Sequence, residues 1–399
     1  MKILQICHRV PYPPVDGGNI AMMNLALSLD DAGNTVHQFA LNTAKHFLDP
    51  VQYPKELAAK LNFKSSYINN NVKAWPAFLN LFTNQSYNIK RFFSPTVDAD
   101  LRTLLISNEF DIVQLETLYA TGYLSTIRAH SKAKIILRAH NVEYVIWERL
   151  SKTETNFPKR KYLELLTRRL KKYELNILKN IDGLIPITEV DEAMFRQLGF
   201  RKPLLTIPLG IDLNDYPIPE SGQSKLDLFH LGSMDWLPNI EGIEWFLSSC
   251  WKDIHLLFPD LKLYLAGRSF PESIKEANHP NVICEGRIEN ANDYMLKHQL
   301  MIVPLRSGSG MRVKIIQGLA LGRTIISTTI GAEGIKCTPE KNILIADTPE
   351  EFLKTISKCL NDSTFCKSIG INGRLLAKEK YSNHAIGEKL TSFYQTHFA

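Results

Sequence analysis

Val303-Pro-Leu-Arg-Ser-Gly-Ser-Gly-Met-Arg-Val-Lys-Ile-Ile-Gln317-Gly-Leu-Ala-Leu-Gly322 decides how this chain is read. Leu300 to Val303 form an apolar strand. Gly308 and Gly310 make a turn without side chains, where a ligand can approach the backbone closely. A helix then begins near Met311, and its free N–H groups and positive dipole end face whatever sits over the turn. Arg312 and Lys314 add two cations beside that end, an arrangement that suits a diphosphate. Gln317 is a polar side chain in an otherwise apolar run, so it needs a hydrogen-bonding partner.

Outward from this segment the same unit recurs. In the first half, Lys2–Cys7, Thr35–Leu41, Asp111–Leu115, Lys134–Arg138, Gly183–Ile187 and Leu204–Ile207 read as strands, with a helix over Asn19–Ala32. In the second half, Asp227–Leu231, Leu261–Leu265, Val282–Cys284, Leu300–Val303 and Thr324–Ser327 do so. Strands alternating with helices imply parallel sheets covered on both faces. The 399 residues are too many for one ordinary core. Residues 213–224 have linker composition. The expected architecture is α/β, with two doubly wound, Rossmann-like domains facing across a cleft and ligands at the carboxyl ends of the strands.

Composition, with 44% hydrophobic and 22% charged residues, is that of a globular protein. No apolar run approaches the roughly 20 residues of a membrane span. Met1–Cys7 reads as a first strand rather than a signal peptide, so the chain is expected in the cytoplasm. The six cysteines show no Cys-x-x-Cys or zinc spacing and are read as reduced thiols. A net charge of +6 permits attraction to phosphate or anionic lipid and requires neither. Asp98-Ala99-Asp100 sits beside a helix start near Leu101, where aspartates complement the dipole, and is not read as a metal site.

Five stretches carry a family likeness. They are Pro11-Tyr-Pro-Pro-Val-Asp-Gly-Gly18, Arg138-Ala-His-Asn-Val-Glu143, Pro208-Leu-Gly-Ile-Asp212, Leu231-Gly-Ser-Met-Asp-Trp-Leu-Pro-Asn239, and the opening segment continued through Ile325-Ile-Ser-Thr-Thr-Ile-Gly-Ala-Glu-Gly334. Together they resemble the family 4 glycosyltransferases of bacterial surface-glycan type, retaining enzymes of the GT-B fold. The resemblance implies an acceptor-binding domain over residues 1–212, completed by a crossover helix within 383–399, and a nucleotide-sugar domain over 225–380. It implies that Gly17 and Gly18 close over the donor diphosphate and that His140 lies near the transferred sugar. Gly232 and Ser233 would approach the β-phosphate, and Arg287 and Ile288 would hold the base through main-chain groups.

Many relatives place an arginine and a lysine after the glycine equivalent to Gly232; here Met234, Asp235, Trp236 and Leu237 follow. Arg312 and Lys314 are the replacements by motif, with Arg306 a further candidate. Gly308, Ser309, Gly310 and Met311 would line the donor. Ser309 and Gln317 occupy the positions of two family glutamates that contact donor sugar and ribose. The implied catalytic set is His140, Arg312 and Lys314. The leaving phosphate would take the acceptor's proton, with no metal and no cofactor beyond the nucleoside-diphosphate sugar as substrate. The implied reaction moves a hexosyl group to a hydroxyl of a surface glycan or glycolipid. The alternatives are a catalytically weak or inactive binding subunit and a nucleotide-sugar epimerase. Nucleic acid is not an expected partner.

Two stretches stand outside the βα pattern. Trp75 to Phe93 is rich in aromatics, and Pro158 to Lys172 holds seven basic residues against Glu164. They suit an anionic membrane surface or lipid-linked acceptor, or equally core aromatics and a solvated helix face.

Overall fold

The computed structural model describes residues 1–14, 16–72, 75, 79–217, 225–275, 279–308 and 311–398. The chain divides into two compact units, residues 1–210 with 386–399, and residues 211–385. Much of the expected linker, residues 218–224, lies outside the described residues, as do Phe78 of the aromatic stretch and Ser309 and Gly310 of the glycine-rich turn.

In the first unit six parallel strands run in the order β3-β2-β1-β4-β5-β6. They are β1 (Lys2–Cys7), β2 (Thr35–Thr43), β3 (Lys64–Ile68), β4 (Ile112–Glu116), β5 (Lys134–Ala139) and β6 (Gly183–Pro186). The second unit repeats this topology as β12-β11-β10-β7-β8-β9. Its strands are β7 (Lys225–Leu231), β8 (Leu263–Ala266), β9 (Val282–Gly286), β10 (His298–Val303), β11 (Thr324–Ser327) and β12 (Leu344–Ile345). Each sheet starts in the middle, winds outward and returns to the other side, so the winding switches between β1 and β4 and between β7 and β10. Ligands of doubly wound sheets bind at such switch points. Ile3, Leu4 and Ile6 of β1 and Leu300, Met301, Ile302 and Val303 of β10 are all fully buried, as strands covered on both faces must be.

The helices used below are α1 (Gly17–Asp31), α2 (Pro95–Ile106), α3 (Glu143–Thr153), α4 (Phe157–Asn180), α5 (Leu237–Phe246), α6 (Val313–Ala320), α7 (Ser363–Tyr381) and α8 (Asn383–Phe398). Several readings change. Leu204–Ile207 is not a strand: it makes one bridge, Leu184 with Leu204, and although Ile207 N–H still donates to Pro186 O at 2.9 Å, Pro186 of β6 has no amide to return the bond that would extend the ladder. The edge strand β3, Lys-Ser-Ser-Tyr-Ile, was too polar to read as one. Helix α2 begins at Pro95, not Leu101, with proline in the first turn. Asp98 therefore sits in that turn, accepting from Thr126 Oγ1, while Asp100 accepts from Ser66 Oγ at 2.6 Å.

Helix α8 closes the first unit. Ile386, Leu390, Phe393 and Tyr394 join Ile3, Val36, Ile112 and Ile136 in one apolar cluster. Asn34 Nδ2 donates to Thr391 Oγ1 at 2.8 Å. A Cβ at Gly387 would stand 2.0 Å from the Ser28 carbonyl oxygen, so the α1–α8 contact requires glycine. Gly387→Ala should destabilise the first unit by about 1–3 kcal/mol, the range for overpacking a close contact. A lowered urea midpoint for that unit is the expected readout, and an unchanged midpoint would contradict this packing.

Candidate active site

In the second unit three glycines gather at the carboxyl ends of adjacent strands. Gly232 N–H donates to Ala266 O at 3.0 Å and Gly267 N–H to Gly286 O at 2.8 Å. A Cβ on Gly267, whose φ is +149°, would lie 1.8 Å from Gly232 O. A Cβ on Gly232 would meet Asn239 Nδ2 at 2.8 Å, His230 Nε2 at 2.9 Å and Lys314 Nζ at 2.9 Å. Gly232 is therefore the floor of a small polar site, not merely a turn residue.

Lys314 projects from the first turn of α6 into that site. Its Nζ donates to Asn239 Oδ1 at 2.8 Å and lies 3.3 Å from His230 Nε2. His230 Nδ1 is 2.9 Å from the Ile302 carbonyl, so Nδ1 carries the proton and Nε2 faces the lysine as an acceptor. Burial, then the charge of Lys314, holds the His230 imidazolium well below its ordinary range, and the ring is neutral. Burial, reinforced by the Arg312 charge, brings the Lys314 ammonium down to about 7. Asn239 is itself fixed by donation to Ser233 O at 2.7 Å.

Arg312 precedes α6, which starts at Val313 rather than Met311. The Arg312 guanidinium lies over the Trp236 ring at 5.2 Å, and burial lowers its pKa. Gly308 has φ +107° and a Cβ there would meet Trp236 at 3.0 Å and Arg312 at 3.1 Å, so glycine is required at this point of the turn. Trp236 follows Gly232 on one side of the sheet's switch point, and Arg312 brings a cation to it from the other side. Arg306 does not join them: it lies over Trp245 at 5.0 Å. Ser233 Oγ is bound by Arg268 Nε at 2.9 Å and donates to Asp235 at 3.0 Å. Arg287 and Ile288 follow β9 at the sheet edge, Arg287 exposed and Ile288 half-buried, and Met311 is half-buried. Gln317 Nε2 donates to Tyr216 Oη at 3.2 Å, the partner its apolar helix demanded.

In the first unit the loop after β1 leads to Asp16, which caps α1 by accepting from Gly18 N and Asn19 N at 3.0 Å. Asp16 pairs with Arg9 at 2.5 Å, and a Cβ on Gly18 would collide with Arg9 Nη2 at 2.7 Å. The Gly18 amide expected to face a ligand is therefore already bonded to the chain's own carboxylate; Gly17 opens the helix beside it. His140 follows β5, and its Nε2 lies 2.8 Å from Glu116 Oε2. Glu116 is fully buried. Burial pushes its pKa up, but Arg138 at 3.5 Å, His140 and Gln5 together bring it down to about 2. Burial keeps His140 neutral in spite of Glu116. Nε2–H therefore donates to the carboxylate, which leaves Nδ1 as the free acceptor. His8, at the end of β1, stands 6.4 Å from the His140 ring, and burial depresses it to about 3. Glu143, the last residue of that motif, accepts from Tyr119 Oη at 2.8 Å.

Glu116, His230 and Asn239 were not foreseen as site residues. A fully buried carboxylate in an apolar strand was the one available signal for Glu116. Glu116→Gln should cost about 3–5 kcal/mol by stranding Arg138. With a folded pKa below its unfolded value of 4.5, Glu116 stabilises above pH about 4.5, and that contribution disappears as pH falls toward about 2. The variant should lack this acid-dependent loss, and ¹⁵N shifts of His140 should no longer report a fixed Nε2–H tautomer. Identical acid titrations of the two proteins would refute the arrangement.

Residues 15–215 match the family described as Glycosyltransferase Family 4, and residues 225–362 match Glycosyl transferases group 1. The chain is 23% identical over 402 residues to an uncharacterized 44.6 kDa protein in the cps region of Klebsiella pneumoniae, covering 96% of this chain and 97% of that one. Among solved structures it superposes on sucrose-phosphate synthase from Thermosynechococcus elongatus with a TM-score of 0.71 at 16% identity, covering 99% and 98% of the two chains. It superposes on Anabaena HepE in complex with UDP with a TM-score of 0.68 at 13% identity, covering 99% and 100%. The chain belongs to glycosyltransferase family 4 and has the GT-B fold of glycosyltransferases.

Proposed function

We propose that this glycosyltransferase is a retaining, metal-independent hexosyltransferase that moves a sugar from a nucleoside-diphosphate sugar to a hydroxyl of a surface glycan or glycolipid. The observation that carries this reading is the Lys314 site: a lysine titrating near neutrality, held by His230 and Asn239 over Gly232 with Arg312 nearby. The binding of UDP by HepE and the cps-region relative support the donor class and the pathway type.

In the proposed step the acceptor hydroxyl attacks the anomeric carbon from the face on which the diphosphate leaves. The sugar–phosphate C–O bond breaks, the new C–O bond forms, and the hydroxyl proton passes to the departing phosphate oxygen. Lys314 and Arg312 offset the charge that grows on that diphosphate. His140, neutral and oriented by Glu116, offers Nδ1 to a sugar hydroxyl and takes no proton from the acceptor. The first unit would bind the acceptor and the second the donor. Gln317, through a ribose contact, contributes to binding and not to the reacting centre.

Two outcomes are expected. UDP affinity measured by calorimetry should fall between pH 7 and 9 with proton uptake on binding, because a bound diphosphate raises the Lys314 pKa from about 7; Lys314→Met should bind weakly without that pH dependence. Gln317→Glu should bind donor about 1 kcal/mol more tightly with little change in turnover, its carboxylate accepting from Tyr216. If no nucleoside diphosphate binds either protein, a binding subunit replaces the enzyme. Acceptor-independent turnover of the sugar would indicate an epimerase.

A further inference from the structure

Helix α4 carries cations on the side turned away from the core, with an exposed apolar turn against its flank. At about 100° per residue, Leu163, Leu166, Leu170 and Ile177 form the buried face, and Lys161, Arg168 and Lys172 occupy the opposite one. Lys161 is engaged by Glu164 at 2.9 Å. Arg168 and Lys172 are exposed and, among the described residues, neither is held in a close ion pair, although the Arg168 charge helps to lower the pKa of Glu164. On one flank Arg169 donates to Asn80 O at 2.8 Å, Asn80 Oδ1 at 3.1 Å and Leu81 O at 3.0 Å. Asn80 is buried and its Nδ2 donates to Thr83 Oγ1 at 2.9 Å. The turn is thus clamped to the helix, yet Leu79 is 47% exposed, Leu81 37% and Phe82 78%. The adjoining helix α3 exposes Ile146 and Leu150, one turn apart.

A clamped turn that holds large apolar side chains in water, beside two exposed cations, fits one kind of surface. A soluble polyanion would meet Arg168 and Lys172 and leave Phe82 in water; an anionic bilayer meets both. We infer that this face docks on an anionic lipid surface, with Leu79, Leu81 and Phe82 in the headgroup–acyl boundary and Arg168 and Lys172 on lipid phosphates. Elsewhere in the 75–93 stretch Tyr87 and Phe92 are buried, Phe93 stacks on Tyr123, and Trp75 is exposed. The inference goes beyond glycosyl transfer and is read without donor or acceptor, so either can fail alone.

Cosedimentation of the full chain with phosphatidylcholine vesicles, with and without phosphatidylglycerol, tests it. Binding should require phosphatidylglycerol and fall with salt. Arg168→Gln with Lys172→Gln should weaken it roughly thirtyfold. Leu79→Ser with Phe82→Ser should weaken it while the cations remain, and both double variants should bind UDP as the parent does. Equal vesicle binding by either double variant would overturn the inference. So would equal binding to neutral vesicles, or a concentration-dependent dimer lost in the apolar variant, which would assign the face to a second copy.

Discussion

Glu116 is an ionised carboxylate at the end of a strand covered on both faces, and the first unit is arranged around its compensation. Transfer of such a charge from water is costly unless it is paired and hydrogen-bonded. Gln5 Nε2 and Gln114 Nε2 both donate to Oε1, while His140 and Arg138 approach Oε2. The row is set by neighbouring strands at fixed register: Gln38, Gln5 and Gln114 are partners across β2, β1 and β4, and Glu116 is opposite Arg138 of β5. A one-residue slip of any strand would turn its polar group to the other face and strand the carboxylate. The polar row therefore specifies pairing as well as orienting His140. It also reaches the last helix, because Tyr394 Oη donates to Gln114 Oε1, while Tyr53 Oη donates to Gln38 Oε1 at 3.0 Å.

The second unit solves the opposite problem. Its site holds a cation whose charge burial has made marginal, over a glycine whose missing side chain makes room for it. His230 can only accept from Lys314 because Ile302 fixes its other nitrogen, and Asn239 can only accept because its amide group is spent on Ser233. Both partners tolerate the neutral amine as well as the ammonium. A fixed carboxylate in their place would hold the lysine charged and compete with an incoming phosphate. The neutral partners leave its charge to be completed by a ligand.

The fold was legible because its signal is local: apolar runs, glycines and helix periodicity lie within a few residues of one another. It failed where tertiary context decides, at the polar edge strand β3, the two-residue β12 and the proline-flanked segment 204–207. Of the candidate site, the sequence marks what lies inside a motif: glycines that the backbone geometry requires, as at Gly232 and Gly308, and side chains such as His140 and Lys314. The groups that tune those side chains come from far along the chain. Glu116 receives Gln5 from 111 residues away, and Lys314 reaches His230 across 84. No spacing rule connects such pairs before the strands are ordered. The Asp16 cap is different: a carboxylate just before a helix start is a local signal, and it explains why the Gly18 amide is not open.

Gln317 shows how a departure from a family pattern can leave geometry intact. Its helix is apolar on the buried side, so the amide had to find a partner, and Tyr216 supplies a hydroxyl that can accept from Nε2. Burial pushes the Tyr216 phenol up, so it keeps its proton and can equally donate to an oxygen. Arg374 holds the Tyr216 carbonyl at 2.8 Å and also donates to Ala320 O, tying the tyrosine to the end of α6. The support is therefore indifferent to whether an amide or a carboxylate stands at 317. What changes is charge: a glutamate would add an anion one turn beyond Lys314, where burial has already weakened the cation. On the proposed ribose contact, a carboxylate there would give a hydroxyl a stronger, charge-assisted acceptor than the amide does, while standing a helical turn away from the cation that meets the phosphate.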